Sequence, residues 1–380
     1  MRKKIIISLI LGGGFSAAAL YAAFRNIPIE DLKNSLVSVD YRWAFPSGLA
    51  IFLSFVLRAL RWQLILAADQ PVGFWKAYHP LMIGFMLNCV IPARVGEIAR
   101  PVLLKQTSGV PFSTGVATVA AERVFDLVIL MAMFAGVLHW VPIDPDFAMA
   151  FGDYQLSRDT LVAIGGGMVK LSLLLVVGIV GISIDAVRKL ISNIMRRIPG
   201  WIPFLGQKGR GMLSQKIIAP IIGLMDGVAA GFALIRQPLK MMGCLVLSVF
   251  TWALMALSYQ LMAAGAPGVD LSFWEHAAVM AIICFFIALP SVPGYWGLWE
   301  AGGVFALSLF GAPTKEAAGF TIANHVVQIL PVVAIGMLSA LFTGISLKQA
   351  ITNRNIEAET LALGGSRHPV DASFDPDRIQ

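Results

Sequence analysis

A polytopic, all-α membrane protein is the fold class this sequence predicts, with about six full crossings and two re-entrant hairpins of opposite sense arranged as an inverted repeat. Three observations lead there. The chain is 57% hydrophobic and only 13% charged, with a mean hydropathy of +0.77, which is more apolar surface than a core surrounded by water can take in. Apolar runs long enough to span a bilayer follow one another with no polar stretch of domain length between them. Two further apolar runs are too short to cross and are interrupted by Pro and Gly, a pattern tolerated at membrane depth only where the broken backbone is buried in protein or lines a cavity.

The crossings are expected near residues 5–24, 43–67, 116–138, 161–184, 241–264 and 319–345. The first carries Arg2, Lys3 and Lys4 ahead of a run of about twenty uncharged residues. That length favours a retained helix over a cleaved signal, for which Ala17-Ala18-Ala19 would be the exit. Arg58 and Arg61 fall late in the second crossing, where long cationic side chains snorkel to the interface. Lys170 interrupts the fourth.

Orientation follows from the connections. Arg188, Lys189, Arg196, Arg197, Lys208, Arg210 and Lys216 crowd one of them, whereas Asp144, Asp146, Asp153 and Asp159 dominate the stretch from His139 to Thr160. The positive-inside rule puts the first in the cytoplasm and the second outside. Both termini are then cytoplasmic, in a bacterial-type inner membrane. Ile217 to Ile235 has basic residues at both ends and is expected to lie along the interface. Residues 1–347 form one transmembrane domain, and 348–380, polar and Pro-containing, a disordered cytoplasmic tail.

A formal charge of +7 does not indicate nucleic acid, because the basic residues sit in short connections between spans. Cys89, Cys244 and Cys284 have neither paired spacing nor a neighbouring His cluster, so no metal is expected, and no cofactor motif is present.

The two short runs, Leu81 to Leu104 and Ala281 to Phe310, echo each other. Pro92 precedes Gly96 and Glu97 in the first, and Pro293, Gly294, Gly297 and Glu300 follow a similar spacing in the second. A Pro in the first turn of a half-helix leaves backbone N–H groups free for an anion, and Gly permits close approach. On a helix after Pro92, Arg94, Glu97 and Arg100 recur every third residue, so two guanidiniums can grip a phosphate while Glu97 orients one. Glu122, Arg123 and Asp126 open the next crossing. They read either as a second wall of a polar cavity or as a self-neutralising cluster that locks helices together. In the second half, Glu300 lies within an uncharged run, and Asn324, His325 and Gln328 on the following crossing point inward, to a cavity or to Glu300. Tyr295, Trp296 and Trp299 alone read as interfacial belt residues.

The run from Asn88 to Arg100, then Glu122-Arg123 with Asp126, then Pro290 to Gly297 with Glu300, resembles the lysylphosphatidylglycerol synthase transmembrane-domain family of flippase-like membrane proteins. The resemblance covers about residues 1 to 345 and implies handling of a membrane lipid. In the best-known members, this part is similar to a flippase joined to a soluble synthetase domain. No soluble domain follows Lys348 here, so aminoacylation by the chain itself is not expected, and Pro-Gly-Tyr-Trp-Gly departs from the more usual Pro-Gly-Gly-hydrophobic-Gly. The expectation is transport of a lipid with an anionic or polar headgroup. The alternatives are an intramembrane lipid-modifying enzyme and an accessory scaffold for lipid-synthesis enzymes. The sequence has no zinc-protease, Ser-His or Cys-His set and no ATP-binding loop, so transport runs downhill or on an ion gradient.

Overall fold

The computed structural model describes residues 2–25, 27–91, 94–140, 148–151, 154–202, 206–231, 234, 237–289 and 292–344. Pro92, the acidic Asp144, Asp146 and Asp153, and the tail from 348 lie outside the described residues. Helices dominate. Apart from short 3₁₀ and π turns, they are α1 (Arg2–Phe24), α2 (Ile29–Val37), α3 (Ala44–Leu66), α4 (Phe74–Val90), α5 (Val95–Ser108), α6 (Phe112–Trp140), α7 (Arg158–Ser183), α8 (Asp185–Trp201), α9 (Gln207–Leu213), α10 (Ala219–Gly231), α11 (Pro238–Ala263), α12 (Phe273–Phe286), α13 (Leu298–Leu309) and α14 (Thr314–Thr343). A small antiparallel hairpin, pairing Ala148 with Ser157 and Phe151 with Tyr154, joins α6 to α7.

Each expected crossing falls on one long helix, because uninterrupted apolar sequence satisfies its backbone only by helical hydrogen bonding where water is excluded. Among the described residues, Tyr41–Leu66, Pro238–Ala263 and Thr314–Thr343 are long and apolar enough to cross, and a bent pair, Val169–Ser183 with Asp185–Trp201, brings the number to at most four. This is fewer than the six expected. Helix α6, 29 residues long, carries Glu122, Arg123 and Asp126 about three turns from its start.

Both short apolar runs are helix–break–helix units. In α4–α5 the break falls after Ile91, and in α12–α13 it spans the residues from Ile287 to Gly297. The α3 and α11 helices pack side by side at the centre, α4–α5 packs against α14 and α6, and α12–α13 against α14, α1 and α11. The two largest apolar cores among the described residues flank the hairpins. Phe55, Trp62, Leu81 and Met82 anchor one beside the first hairpin, and Tyr259, Met280, Ile283 and Phe320 anchor the other beside the second.

Much of the segment expected along the interface, 217–235, is α10, which packs on α6. The strongly two-faced helix is α8.

Candidate functional site

The first hairpin closes through glycine. A Cβ on Gly96 would fall on the Gly84 carbonyl and one on Gly84 would strike the Arg100 side chain, so α4 and α5 approach backbone to backbone only with glycine at both positions. The helix end so formed is already capped, because the Gly96 N–H donates to Asn88 Oδ1 at 2.7 Å. The anion-binding terminus expected there is therefore partly filled by the protein's own side chain.

Arg94 does not join Arg100 in a common grip. It is the residue ahead of α5, exposed and left-handed at φ 50°, and its Nη2 donates to the Ile287 carbonyl at 2.8 Å. That contact ties the break of the first hairpin to the end of α12. Tyr295, which like Arg94 stands two residues after the motif's proline, is also left-handed at φ 63°. Two non-glycine residues in this conformation at equivalent points give the repeat physical content, since each costs about 1–3 kcal/mol and persists only where the surroundings enforce it.

Arg100 turns inward to a buried ion cluster shared by α3, α5, α6 and α11. Its Nη2 pairs with Glu122 Oε2 at 2.5 Å. The other Glu122 oxygen takes Arg61 Nη2 at 3.1 Å. Arg61 Nη1 reaches Asp126 Oδ1 at 2.8 Å and Ser248 Oγ at 2.8 Å. Arg58 Nη1 lies 3.2 Å from Asp126 Oδ2, and Trp252 Nε1 donates to Asp126 Oδ1 at 3.1 Å. Glu122 and Asp126, one turn apart on α6, thus face Arg58 and Arg61, one turn apart on α3. The snorkelling expected of those two arginines is corrected: both are buried, Arg61 completely.

At its edge the cluster opens. Arg123 Nη1 stands 3.4 Å from Asp126 Oδ2, and Arg123 Nε stands 3.8 Å from Glu97 Oε1, with side chains 36% and 30% exposed. Glu97 therefore orients Arg123 and not Arg94 or Arg100. The Phe85 ring lies 5.5 to 5.7 Å from the guanidinium carbons of Arg58, Arg100 and Arg123, and Trp62 lies 4.3 Å from that of Arg100, aromatic contacts that favour the cations. Four guanidiniums meet three carboxylates, which leaves one excess positive charge. Among the described residues, Arg100 Nη1 and the Nε groups of Arg58, Arg61, Arg100 and Arg123 have no hydrogen-bond partner. In a low-dielectric interior, that surplus calls for an anion.

The second hairpin holds a separate constellation. Gly294 (φ 71°) and Gly297 (φ 91°) require glycine for their backbone turns, and a Cβ on Gly297 would strike the α1 backbone at Ser16. Pro293 opens a short 3₁₀ turn and not α13, which begins at Leu298 after Gly297. Glu300 reaches back to the Gly297 N–H at 2.6 Å, so this helix end too is satisfied internally. Its other oxygen meets His325 Nδ1 at 2.5 Å, and His325 Nε2 lies 2.8 Å from the Gly294 carbonyl. A carbonyl only accepts, so Nε2 carries a proton, and Glu300 and Nδ1 share a second one between them. Trp299 stacks on the imidazole at 4.4 Å and 3°, with Trp296 4.4 Å away on tilted planes. These tryptophans enclose His325; they are more than belt residues.

Asn324 parts company with His325. It faces Gln328 and, through it, Ser258 of α11, with Gln328 Nε2 donating to Ser258 Oγ at 2.8 Å. Arg58, Arg61, Phe85, Asn88, Ser248, Trp252 and Ser16 enter the site without having been singled out as site residues. Only the matched one-turn spacing of Arg58–Arg61 and Glu122–Asp126 signalled any of them. Among the described residues no His, Cys, Asp or Glu group is arranged to hold a metal ion.

Comparison with known proteins places this geometry. The chain is 24% identical over 319 residues to a UPF0104 membrane protein of Methanothermobacter thermautotrophicus, covering 77% of this chain and 83% of that one. It is 24% identical over 379 residues to the protein named glycosyltransferase AglD of Haloferax volcanii, covering 92% of this chain. The chain spans 57% of the length of that relative. A 47-residue stretch is 43% identical to UPF0104 membrane protein MJ1078 of Methanocaldococcus jannaschii. The description of one family, the lysylphosphatidylglycerol synthase TM region, matches residues 5–336. The protein is a membrane protein and belongs to that family.

Proposed function

We propose that this protein moves a lipid with a phosphate-bearing or otherwise polar headgroup across the membrane, without ATP. The observation that carries the reading is the surplus positive charge of the buried cluster, open at Arg123 and Glu97. A headgroup entering at that edge supplies the missing negative charge while its tails remain in the bilayer. The hydrogen bond from Arg94 to Ile287 sets how far the two hairpins stand apart. Pro92, Arg94, Gly96, Glu97, Arg100, Glu122, Arg123 and Asp126 form the headgroup side. Pro293, Gly294, Gly297, Glu300 and His325 brace the facing break, with Asn324 in the seam behind it.

In this reading α1, α3, α6, α7, α11 and α14 cross the membrane. The α4–α5 hairpin enters from the cytoplasm and α12–α13 from outside, in an inner membrane with both termini cytoplasmic. The test is head-group exposure in liposomes carrying the reconstituted protein and several lipid classes in turn. Exchange of one class, accelerated by the wild type and abolished by Arg123→Ala, is the expected result. No exchange of any class overturns the proposal.

A second reading, a membrane module that serves a lipid-linked synthesis enzyme, is favoured by one observation: a relative of greater length is named a glycosyltransferase. It predicts that Arg123→Ala leaves function intact.

A further inference from the structure

Helix α8 lies outside both constellations. It meets α7 at 94°, so it turns away from the direction of an apolar helix at that helix's end. Ser192 and Pro199 are its buried residues, and Arg188 is occupied, with Asp185 at 2.7 Å and Asp226 of α10 at 3.1 Å. Away from that packed edge, Leu190, Ile194 and Trp201 form one line along the helix, 60%, 42% and 65% exposed. Lys189, Arg196 and Arg197 border the line and have no ion-pair partner among the described residues.

We propose that α8 lies in the headgroup layer of an anionic leaflet, with Leu190, Ile194 and Trp201 at the acyl boundary and Lys189, Arg196 and Arg197 on lipid phosphates. An apolar stripe left uncovered beside unpaired cations is the composition of an in-plane interfacial helix. Negative lipid is the complementary partner for those cations. Continuity adds the position, because α8 starts where α7, apolar enough to sit in the bilayer, ends. A narrow stripe with flexible cations on its border suits a disordered lipid surface better than the shaped, packed patch a folded protein presents. The inference is independent of which lipid the chain moves.

The test uses the full chain with Cys89, Cys244 and Cys284 replaced by Ala and Ile194→Cys labelled with a polarity-sensitive fluorophore, in nanodiscs. With phosphatidylglycerol in the disc, the label is expected to report an apolar environment and to be quenched by shallow spin-labelled lipid. In discs of phosphatidylcholine alone, or after Lys189, Arg196 and Arg197 are replaced by Gln, that signal falls. At about fivefold per cation, the preference for the inserted state drops on the order of a hundredfold. A label that stays in water in both discs overturns the proposal and leaves α8 as a surface for a soluble protein. A label inserted equally in both overturns the part assigned to anionic lipid.

Discussion

Glu122→Gln is the substitution that weighs the ion cluster most directly. The carboxylate bridges Arg61 at 3.1 Å and Arg100 at 2.5 Å and is fully buried. At an effective dielectric of about 20, one such contact is worth about 5 kcal/mol of gross Coulomb attraction, most of it offset by the desolvation of the partners. Glutamine keeps the shape but turns an amide N–H₂ toward one guanidinium, donor against donor, and raises the excess charge from one to two. The expected loss is about 3–5 kcal/mol, the usual cost of leaving a buried ion without its partner. Glu97→Gln removes a carboxylate from the same cluster at its half-open edge, 3.8 Å from Arg123, and is expected to cost under about 1 kcal/mol. Combining Glu122→Gln with Arg100→Met restores the original charge surplus, and the pair should be coupled by about 1–3 kcal/mol in the direction of rescue. Equilibrium unfolding of these three variants and of Arg100→Met alone, in one mixed-micelle system, measures all four. Equal losses for Glu122→Gln and Glu97→Gln, or a double variant no better than the single, would refute charge balance as what holds this cluster.

Three further outcomes follow from the hairpins, with a glycine of α1 as a control. Gly96→Ala drives a methyl onto the Gly84 carbonyl, where neither backbone can move aside, and should cost at least about 1–3 kcal/mol. Gly13→Ala, in open space on α1, should be neutral or raise stability by up to about 1 kcal/mol, and thermal melting separates the two. Glu300→Gln keeps both of its hydrogen bonds, the amide oxygen accepting from Gly297 and the amide N–H donating to a neutral His325, so stability should change by less than about 1 kcal/mol. His325→Ala strips Glu300 and Gly294 of their partners and hollows the space between Trp296 and Trp299, and should cost about 3–5 kcal/mol in the same melts.

Much of this architecture is legible in the sequence because the bilayer imposes so few options. Apolar runs of spanning length became helices, and the Pro–Gly punctuation at Pro92 and Pro293 marked both breaks. Glu122 with Asp126, and Glu300 with His325, were visible as polar groups too costly to leave unpaired at membrane depth. What could not be read was partnership across the fold. An arginine late in an apolar helix fits snorkelling and burial equally well, and Arg58 and Arg61 were decided by α3 packing between α6 and α11. The same limit hid Asn88, whose role as a cap depends on the α4–α5 closure, and sent Arg94 to the opposite hairpin, a left-handed turn that no propensity forecasts. The interfacial helix was assigned to 217–235 because basic residues flank it. The order of residues within a helix is a second signal, and by it α8 is strongly two-faced.

The two constellations differ in a way that divides labour between the hairpins. Around Glu300 the carboxylate, the imidazole, the Gly297 N–H and the Gly294 carbonyl are matched to one another, with two tryptophans closing the sides, although Trp299 Nε1 has no hydrogen-bond partner among the described residues. Such a set needs no ligand to balance its charge, and its effect is to hold the left-handed turns at Gly294 and Gly297 in place. Around Arg100 the matching fails by one charge and several N–H groups, and the failure lies next to a partly exposed pair that side-chain motion can separate. A site built to bind must be unsatisfied when empty, whereas a site built to brace must not be. In the proposed reading the first hairpin therefore carries the headgroup contacts and the second the rigidity. Arg94, donating to Ile287, joins the two hairpins beside the packing of α4 on the Pro293–Tyr295 turn.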